Sequence, residues 1–108
     1  MDTLNINRQI IKRILTEYAR IPYAYGEIQS QTVFDLPNDH YLLVNVGWDD
    51  GRIHDCLVHV DIVDEKCWIQ CDGTEYGIAK ELEEAGIPKK NIVLAFRSPE
   101  LRKHTGYA

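Results

Sequence analysis

The sequence predicts an α+β domain, and three features of the chain lead to this prediction. Apolar residues recur with helical spacing over residues 2–20. Between His40 and Cys71, runs rich in Val, Ile, Trp and Tyr alternate with short acidic or Gly turns, as consecutive antiparallel strands do. A second helical pattern and a short apolar run follow. With 108 residues, the chain is long enough to form one domain, residues 1–108, that buries a core without a metal or a disulfide.

The N-terminal helix is predicted over residues 2–20. Its apolar stripe has spacings of three and four and consists of Ile6, Ile10, Ile14, Tyr18 and Ile21, flanked by Ile11 and Leu15. Pro22 ends the helix, because the residue before a proline avoids the α conformation. Residues 21–26 are then a connector that contains two tyrosines.

The first strand is predicted over residues 28–36, where side chains alternate in character and indicate a half-buried strand that could lie at a sheet edge. Pro37-Asn38-Asp39 follows as a turn. The hairpin at residues 49–51 then decides which side chains share a face, because directly opposed residues of an antiparallel pair point to the same side. A two-residue turn would bury the carboxylates of Asp55 and Asp61.

A three-residue loop with Gly51 in the left-handed conformation gives a more apolar face, and we predict that register. The predicted core face comprises Leu42, Val44, Val46, Trp48, His54, Cys56, Val58, Val60 and Ile62. A two-residue turn at Asp64-Glu65 adds Cys67, Ile69 and Cys71 to this face. The four strands form an antiparallel meander.

The opposite, outer face of this predicted sheet mixes apolar and polar side chains. Its candidate interface residues are Tyr41, Leu43, Leu57, His59, Val63 and Trp68. An apolar patch of this kind is typical of a protein–protein interface. The alternative is that the C-terminal segment covers it with Ile92, Leu94 and Phe96.

The last third of the chain predicts a second helix, a short strand and a helical turn. The second helix opens at residues 72–75, where Asp72 or Thr74 can cap it. Gly86 supplies its left-handed stop. Residues 91–96 form the strand, and the turn runs from a Ser98 cap to about residue 103.

Charge is distributed unevenly along the chain. The net charge of −5 argues against a protein that binds nucleic acid nonspecifically over its whole surface. Residues 21–88 carry three basic and fourteen acidic side chains, whereas both ends are basic. Direct DNA contact by the ends is therefore an alternative function, with Arg8, Lys12, Arg13, Arg97, Arg102 and Lys103 as candidate residues.

Three cysteines and four histidines raise the question of a metal or catalytic site. Cys67 and Cys71 lie on one strand with Cα atoms about 13 Å apart, whereas two thiolates on one zinc need sulfurs about 4 Å apart. The cysteines are therefore interpreted as small core residues, and a His54–Cys56 pair would point into the core.

His59 lies between Asp55 and Asp61 on one strand face. This arrangement could hold a cation in a metal-assisted enzyme, or it could be a solvated, hydrogen-bonded face. We predict no catalytic residue, no metal site and no cofactor. No apolar run reaches the roughly 20 residues of a membrane span, and the start has no export signal, so we expect a cytoplasmic protein without membrane contact.

Six short motifs follow one another along the chain. These motifs are Ile-Pro-Tyr-Ala-Tyr-Gly (21–26), Leu-Val-Asn-Val-Gly-Trp-Asp (43–49), His-Val-Asp-Ile (59–62), Trp-Ile-Gln-Cys-Asp-Gly-Thr-Glu (68–75), Ala-Gly-Ile-Pro (85–88) and Ala-Phe-Arg-Ser-Pro-Glu-Leu-Arg-Lys (95–103). This series of motifs resembles the XisI family, the excision controlling factors of the cyanobacterial fdxN element. The resemblance extends over essentially the whole chain.

The resemblance implies a controlling factor that is not itself an enzyme. Family members act with a site-specific recombinase and a companion protein, XisH, when a DNA element is excised during heterocyst differentiation. We therefore expect association with an XisH-like companion and a recombinase, and a homo-oligomeric state. The family implies no catalytic residues that could be assigned to this chain.

Overall fold

The structure is a computed structural model that describes residues 3–22 and 26–108. Its elements are α1 (Thr3–Ala19), β1 (Glu27–Asp35), β2 (His40–Trp48), β3 (Arg52–Val63), β4 (Lys66–Asp72), α2 (Ile78–Glu84), a 3₁₀ turn (Lys89–Asn91), β5 (Ile92–Leu94) and α3 (Pro99–Arg102). The predicted α+β class and the order of its elements are confirmed. None of the helices in these two ranges is long and apolar enough to cross a membrane.

The strands form one sheet in the order β1-β2-β3-β4-β5. The first four strands are antiparallel neighbours, so the predicted meander is confirmed. β5 lies parallel to β4, which makes the sheet mixed. Helices α1 and α2 pack on one side of the sheet, called here the helix face, and the other side is the outer face.

Helix α1 packs on the sheet with a stripe that differs from the predicted one. Ile11, Ile14 and Leu15 are buried, whereas Ile6 and Ile21 at the ends of the predicted stripe are exposed. The buried stripe also includes Asn7. Helix α1 therefore faces the sheet with the side that carries Ile11 and Leu15, which were predicted only to flank the stripe. The predicted connector after α1 lies partly outside the described residues, since 23–25 are not among them.

Helix α2 begins at Ile78, later than the predicted start at residues 72–75. Gly77 precedes it with φ of 99°, and the carboxylate of Asp72 accepts a hydrogen bond from the Ile78 backbone N–H at 2.9 Å. Asp72 thus caps the helix from the end of β4. The stop at Gly86 is confirmed by its φ of 116°. Ser98 also caps α3 as predicted, accepting from the Leu101 N–H.

The β2–β3 hairpin has the predicted three-residue loop. Trp48 pairs with Arg52, and Val44 pairs with Cys56. At this point the register shifts, because Leu57 is an extra residue that forms a β-bulge. Beyond the bulge, Leu43 lies opposite Val58, one position away from the predicted pairing.

The bulge reverses the predicted faces of β2. Tyr41 and Leu43 are 0% exposed and belong to the helix-face core with Val58 and Val60. The prediction was therefore wrong for the residues that it assigned to the core but that lie on the outer face: Leu42, Val44, Val46, Trp48, His54 and Cys56. Asn45 points to the core instead, where its side-chain oxygen accepts a hydrogen bond from Ser30 Oγ at 2.7 Å. That bond offsets the cost of burying the amide.

A second bulge occurs in β4. The pairs Ile62–Cys67 and Val60–Ile69 follow the prediction, and the two-residue turn at 64–65 is confirmed. The register then shifts at Gln70, so Cys71 lies opposite His59 on the outer face. Among the three cysteines, Cys67 is the one in the core.

Candidate functional site

The outer face of strands β1 and β2 carries an apolar patch, defined here as Val33, Leu42, Val44, Val46 and Trp48. The pairing of β1 with β2 places Val33 directly opposite Leu42. Val33 is 50% exposed and Trp48 58% exposed, while the other three are half-buried. The guanidinium of Arg52 lies 5.6 Å from the centre of the Trp48 ring. These apolar side chains are therefore accessible to a partner on the outer face.

The C-terminal segment covers the other end of the outer face. Trp68 lies beside Val93 in the parallel β4–β5 pair, and Val93 is almost fully buried. Arg102 of α3 lies over the Trp68 ring, with its guanidinium carbon 5.7 Å from the ring centre. The prediction that Ile92, Leu94 and Phe96 cover this face is wrong, because Ile92 and Leu94 pack with the helix-face core and Phe96 is exposed. Arg102 of α3 covers Trp68 instead.

The candidate interface residues divide into two groups. Tyr41 and Leu43 are fully buried, so the prediction that they meet a partner is wrong. Leu57 is half-buried and also faces the helix side, where it packs against the core and approaches Gly73. The bulge at Leu57 causes all three differences, because it shifts the pairing of β3 with β2 by one residue.

The second group, His59, Val63 and Trp68, lies on the outer face as the parity of β3 and β4 predicts. Val63 is exposed, His59 is partly buried, and Trp68 lies beneath Arg102. The indole Nε1 of Trp68 is buried without a hydrogen-bond partner among the described residues. A contact role for these three residues remains a prediction.

Two histidines and one aspartate meet on the outer face of β2 and β3. His40 Nδ1 and His59 Nε2 each lie 2.7 Å from the same oxygen, Asp61 Oδ1. Gln70 donates to the other carboxylate oxygen at 3.4 Å. The Asp61 side chain is only 13% exposed. The hydrogen bond to Asp61 raises the pKa of His40 above its ordinary value.

Asp55 is not part of this cluster, contrary to the predicted grouping with His59 and Asp61. Asp55 pairs with Asn45, whose side chain points to the helix face. His40 takes its place and was missed, because the predicted register put His40 opposite Val60 instead of Asp61. The adjacent apolar pair Leu57-Val58 interrupts the alternation of β3 and was the signal that could have indicated the bulge.

Cys56 and Cys67 do not have the environment of a nucleophile. Burial raises the pKa of the Cys67 thiol to about 11 and raises that of Cys56 as well. A raised pKa lowers the fraction of reactive thiolate. His54 and Cys56 share a face as predicted, but this is the outer face and not the core.

The candidate DNA-contact residues do not lie on one surface. Arg8 and its neighbours Lys12 and Arg13 belong to α1 on the helix face, whereas Arg102 lies over Trp68 on the outer face. Arg8 forms a two-bond ion pair with Asp39, at 2.7 and 3.0 Å. The sheet thus separates the two basic segments, and a single basic patch does not form from them.

Comparisons with known proteins agree on one family. The model of the XisI protein family matches residues 1–108. A solved XisI-like protein from Anabaena variabilis is 35% identical, with a TM-score of 0.88 over 97% of this chain and 97% of that one. The solved fdxN element excision controlling factor XisI from the same organism is 30% identical, with a TM-score of 0.84 over 99% of this chain and 98% of that one. The comparison with curated proteins gives no match. The chain belongs to the XisI family.

Proposed function

We propose that this protein is a non-enzymatic controlling factor in the excision of a DNA element and that it acts by binding an XisH-like companion protein. The observation that carries the proposal is the accessible apolar patch on the outer face. The solved relative named as an fdxN element excision controlling factor supports the process, since it aligns over nearly the whole chain. The recombinase would then act on DNA with this assembly.

The chemistry of the patch supports a protein partner. An apolar surface rimmed by polar groups is typical of association sites. Two of its five side chains are at least half exposed, so they lose the most water-accessible area when covered. Most charged groups at its rim are acidic, with Asp35 at the end of β1 and Asp49 and Asp50 in the hairpin loop, against the single guanidinium of Arg52 over Trp48. The complementary surface is an apolar centre surrounded by Lys and Arg.

The same acidic rim disfavours a second copy as the main occupant. Two copies meeting at this patch would bring like charges together, which weakens association. Pairing of two β1 edge strands, centred on Gln31, would likewise place Glu27 opposite Asp35 of the other copy. A homo-oligomer that uses another surface is compatible with the proposal.

The test measures binding of the XisH-like protein from the same genome by isothermal titration calorimetry. Val33→Glu and Trp48→Glu introduce charge at exposed positions of the patch, and we expect each to weaken binding at least tenfold. Ile21→Glu is the matched control, because Ile21 is 59% exposed and lies beside a helix-face cavity. Its binding should equal that of the unmodified chain.

Three results would contradict the proposal. The first is no binding to the companion, and the second is equal binding by all four proteins. The third is a dimer of the unmodified chain, seen by light scattering, that both patch variants abolish, since a second copy would then occupy the patch. Circular dichroism of each variant checks that the fold is retained.

A further inference from the structure

We propose that His40, His59 and Asp61 form a binding site for one divalent transition-metal ion, with Zn²⁺ as the reference metal. The site is separate from the apolar patch in its chemistry, and its test does not depend on the partner. The ligands would be His40 Nδ1, His59 Nε2 and one carboxylate oxygen of Asp61.

The backbone places the three side chains together. Asp61 lies directly opposite His40 across the β2–β3 pair, so both point to the outer face. His59 is two residues before Asp61 on the same strand and shares that face. The strands lie in the interior of the sheet, flanked by β1 and β4, and hold the Cα positions firmly. All three ligand atoms lie within 4.8 Å of one another.

The distances between the three ligand atoms have to change when an ion binds. Both ring nitrogens lie 2.7 Å from Asp61 Oδ1. Ligand atoms around a tetrahedral zinc are about 3.3 Å apart, since Zn–N bonds are about 2.0–2.1 Å long. Each nitrogen therefore has to move roughly half an ångström away from the carboxylate oxygen. The two nitrogens, which lie within 4.8 Å of each other, have to approach by up to about 1.5 Å. His40 can make this movement, because its side chain is 46% exposed.

The donor set selects a class of metal. Imidazole nitrogen suits Zn²⁺, Cu²⁺ and Ni²⁺, whereas Ca²⁺ and Mg²⁺ prefer oxygen ligands. Three ligands leave at least one coordination position toward solvent on the outer face. The metal would replace the N–H protons that the two rings now direct at one oxygen.

Neighbouring groups support the proposed ligands. Gln70 donates to the second oxygen of Asp61 and orients the carboxylate, as partners of metal ligands commonly do. Asp35 lies opposite His40 in β1 and adds negative charge on the same face. Trp68 lies opposite Asp61 in β4 and limits access of water from that side.

The test titrates Zn²⁺ into the full chain after chelator treatment and follows the heat of binding. We expect one ion per chain with a Kd in the micromolar range or tighter. His40→Gln, His59→Ala and Asp61→Asn should each weaken binding at least tenfold. His54→Ala is the matched control, because His54 is an exposed histidine of the same face outside the cluster.

A second readout separates this site from the cysteines. Cys56 and Cys71 also lie on the outer face, so a Cys56→Ser/Cys71→Ser chain is titrated in parallel. It should bind Zn²⁺ as the unmodified chain does. Co²⁺ should give an absorption spectrum without thiolate-to-metal bands.

Absence of saturable binding, or binding that persists in His59→Ala but disappears in the cysteine variant, would overturn the proposal. The unfolding temperature of each variant without metal identifies any variant that fails to fold. In that case the binding of Zn²⁺ by His40→Gln, the variant at the most exposed ligand, decides between the two outcomes.

Discussion

Gly47 is the residue at which the sheet tolerates no side chain. Its φ of +151° lies in a region that residues with a Cβ rarely adopt, and an ideal Cβ there would lie 1.9 Å from the carbonyl oxygen of Glu27. The backbones of β1 and β2 therefore approach each other where Gly47 pairs with Ile28. This contact fixes the edge strand that carries Val33 of the apolar patch.

We expect Gly47→Ala to lower the free energy of unfolding by about 3 kcal/mol or more, because it adds a steric clash to backbone strain. Gly51→Ala is the control, since Gly51 has φ of +140° but a Cβ added there would have no atom within 4 Å. It should lower stability by only about 1–2 kcal/mol. Urea unfolding followed by tryptophan fluorescence measures both values, and equal losses would contradict a steric role for Gly47.

At the scale of elements, Asp39 joins helix α1 to the turn between β1 and β2. Its carboxylate accepts hydrogen bonds from Arg8 and from the Tyr41 hydroxyl, the latter at 2.8 Å. The hydrogen bond from Arg8 holds the pKa of Asp39 below its ordinary value. The Asp39 carbonyl also accepts from the Ile62 N–H at 3.0 Å. One residue with φ of +56° thus connects a helix, a turn and the third strand.

A double-mutant cycle with Arg8→Met and Asp39→Asn should give a coupling energy of about 1 kcal/mol, above the usual value for an exposed pair, because the ion pair is bidentate and partly buried. Arg13→Met is the control, since Arg13 reaches Glu17 at 4.0 Å and both side chains are exposed. Its effect should be a few tenths of a kcal/mol. A coupling energy near zero would mean that Asp39 is held by Tyr41 and the backbone alone.

The elements that the sequence predicted well are those set by local chemistry. Pro22 and Gly86 mark helix ends, Ser98 caps α3, and the loops at 49–51 and 64–65 have the predicted lengths. What local chemistry does not determine is the register beyond each bulge. The pairing of β2 with β3 that was counted from the hairpin loop is correct as far as Cys56. Beyond Leu57 each predicted pair is wrong by one residue. The sequence therefore predicted that His59 and Asp61 lie together, but it could not predict that His40 joins them.

At the scale of the whole molecule, the sheet separates surfaces of different character. The helix face carries α1 with its basic residues, and the outer face carries the apolar patch, the His–Asp cluster and α3. The acidic middle of the chain makes up most of the sheet, and the net charge is −5. This distribution favours a basic protein partner over direct contact with a phosphate backbone.

We accordingly expect weak binding to duplex DNA, with a Kd of about 10 µM or weaker near physiological salt, as for nonspecific contacts. The paired charge reversal Arg13→Glu/Lys103→Glu should change the Kd by less than about twofold, because Arg13 belongs to α1 on the helix face and Lys103 lines an outer-face cavity with Trp68 and Arg102. Fluorescence anisotropy at low and near-physiological salt measures both. Tight binding that falls steeply with salt and is lost in the charge-reversed chain would instead assign DNA contact to the basic ends.

The extra residue at position 57 also determines which length changes the chain can accept. If Leu57 were deleted, the two parts of β3 would join in a single alternating phase. His40 would still lie opposite Asp61, and Tyr41 and Leu43 would stay in the core, because the deletion removes only the residue that has no partner in β2. A one-codon deletion at this position would thus make the strand pair regular, whereas pairing Leu57 with Leu43 without a bulge would put His40 opposite Val60 and invert half of the pair. In alignments of related chains, a gap at position 57 should therefore be read as the loss of the bulge and not as a change of face.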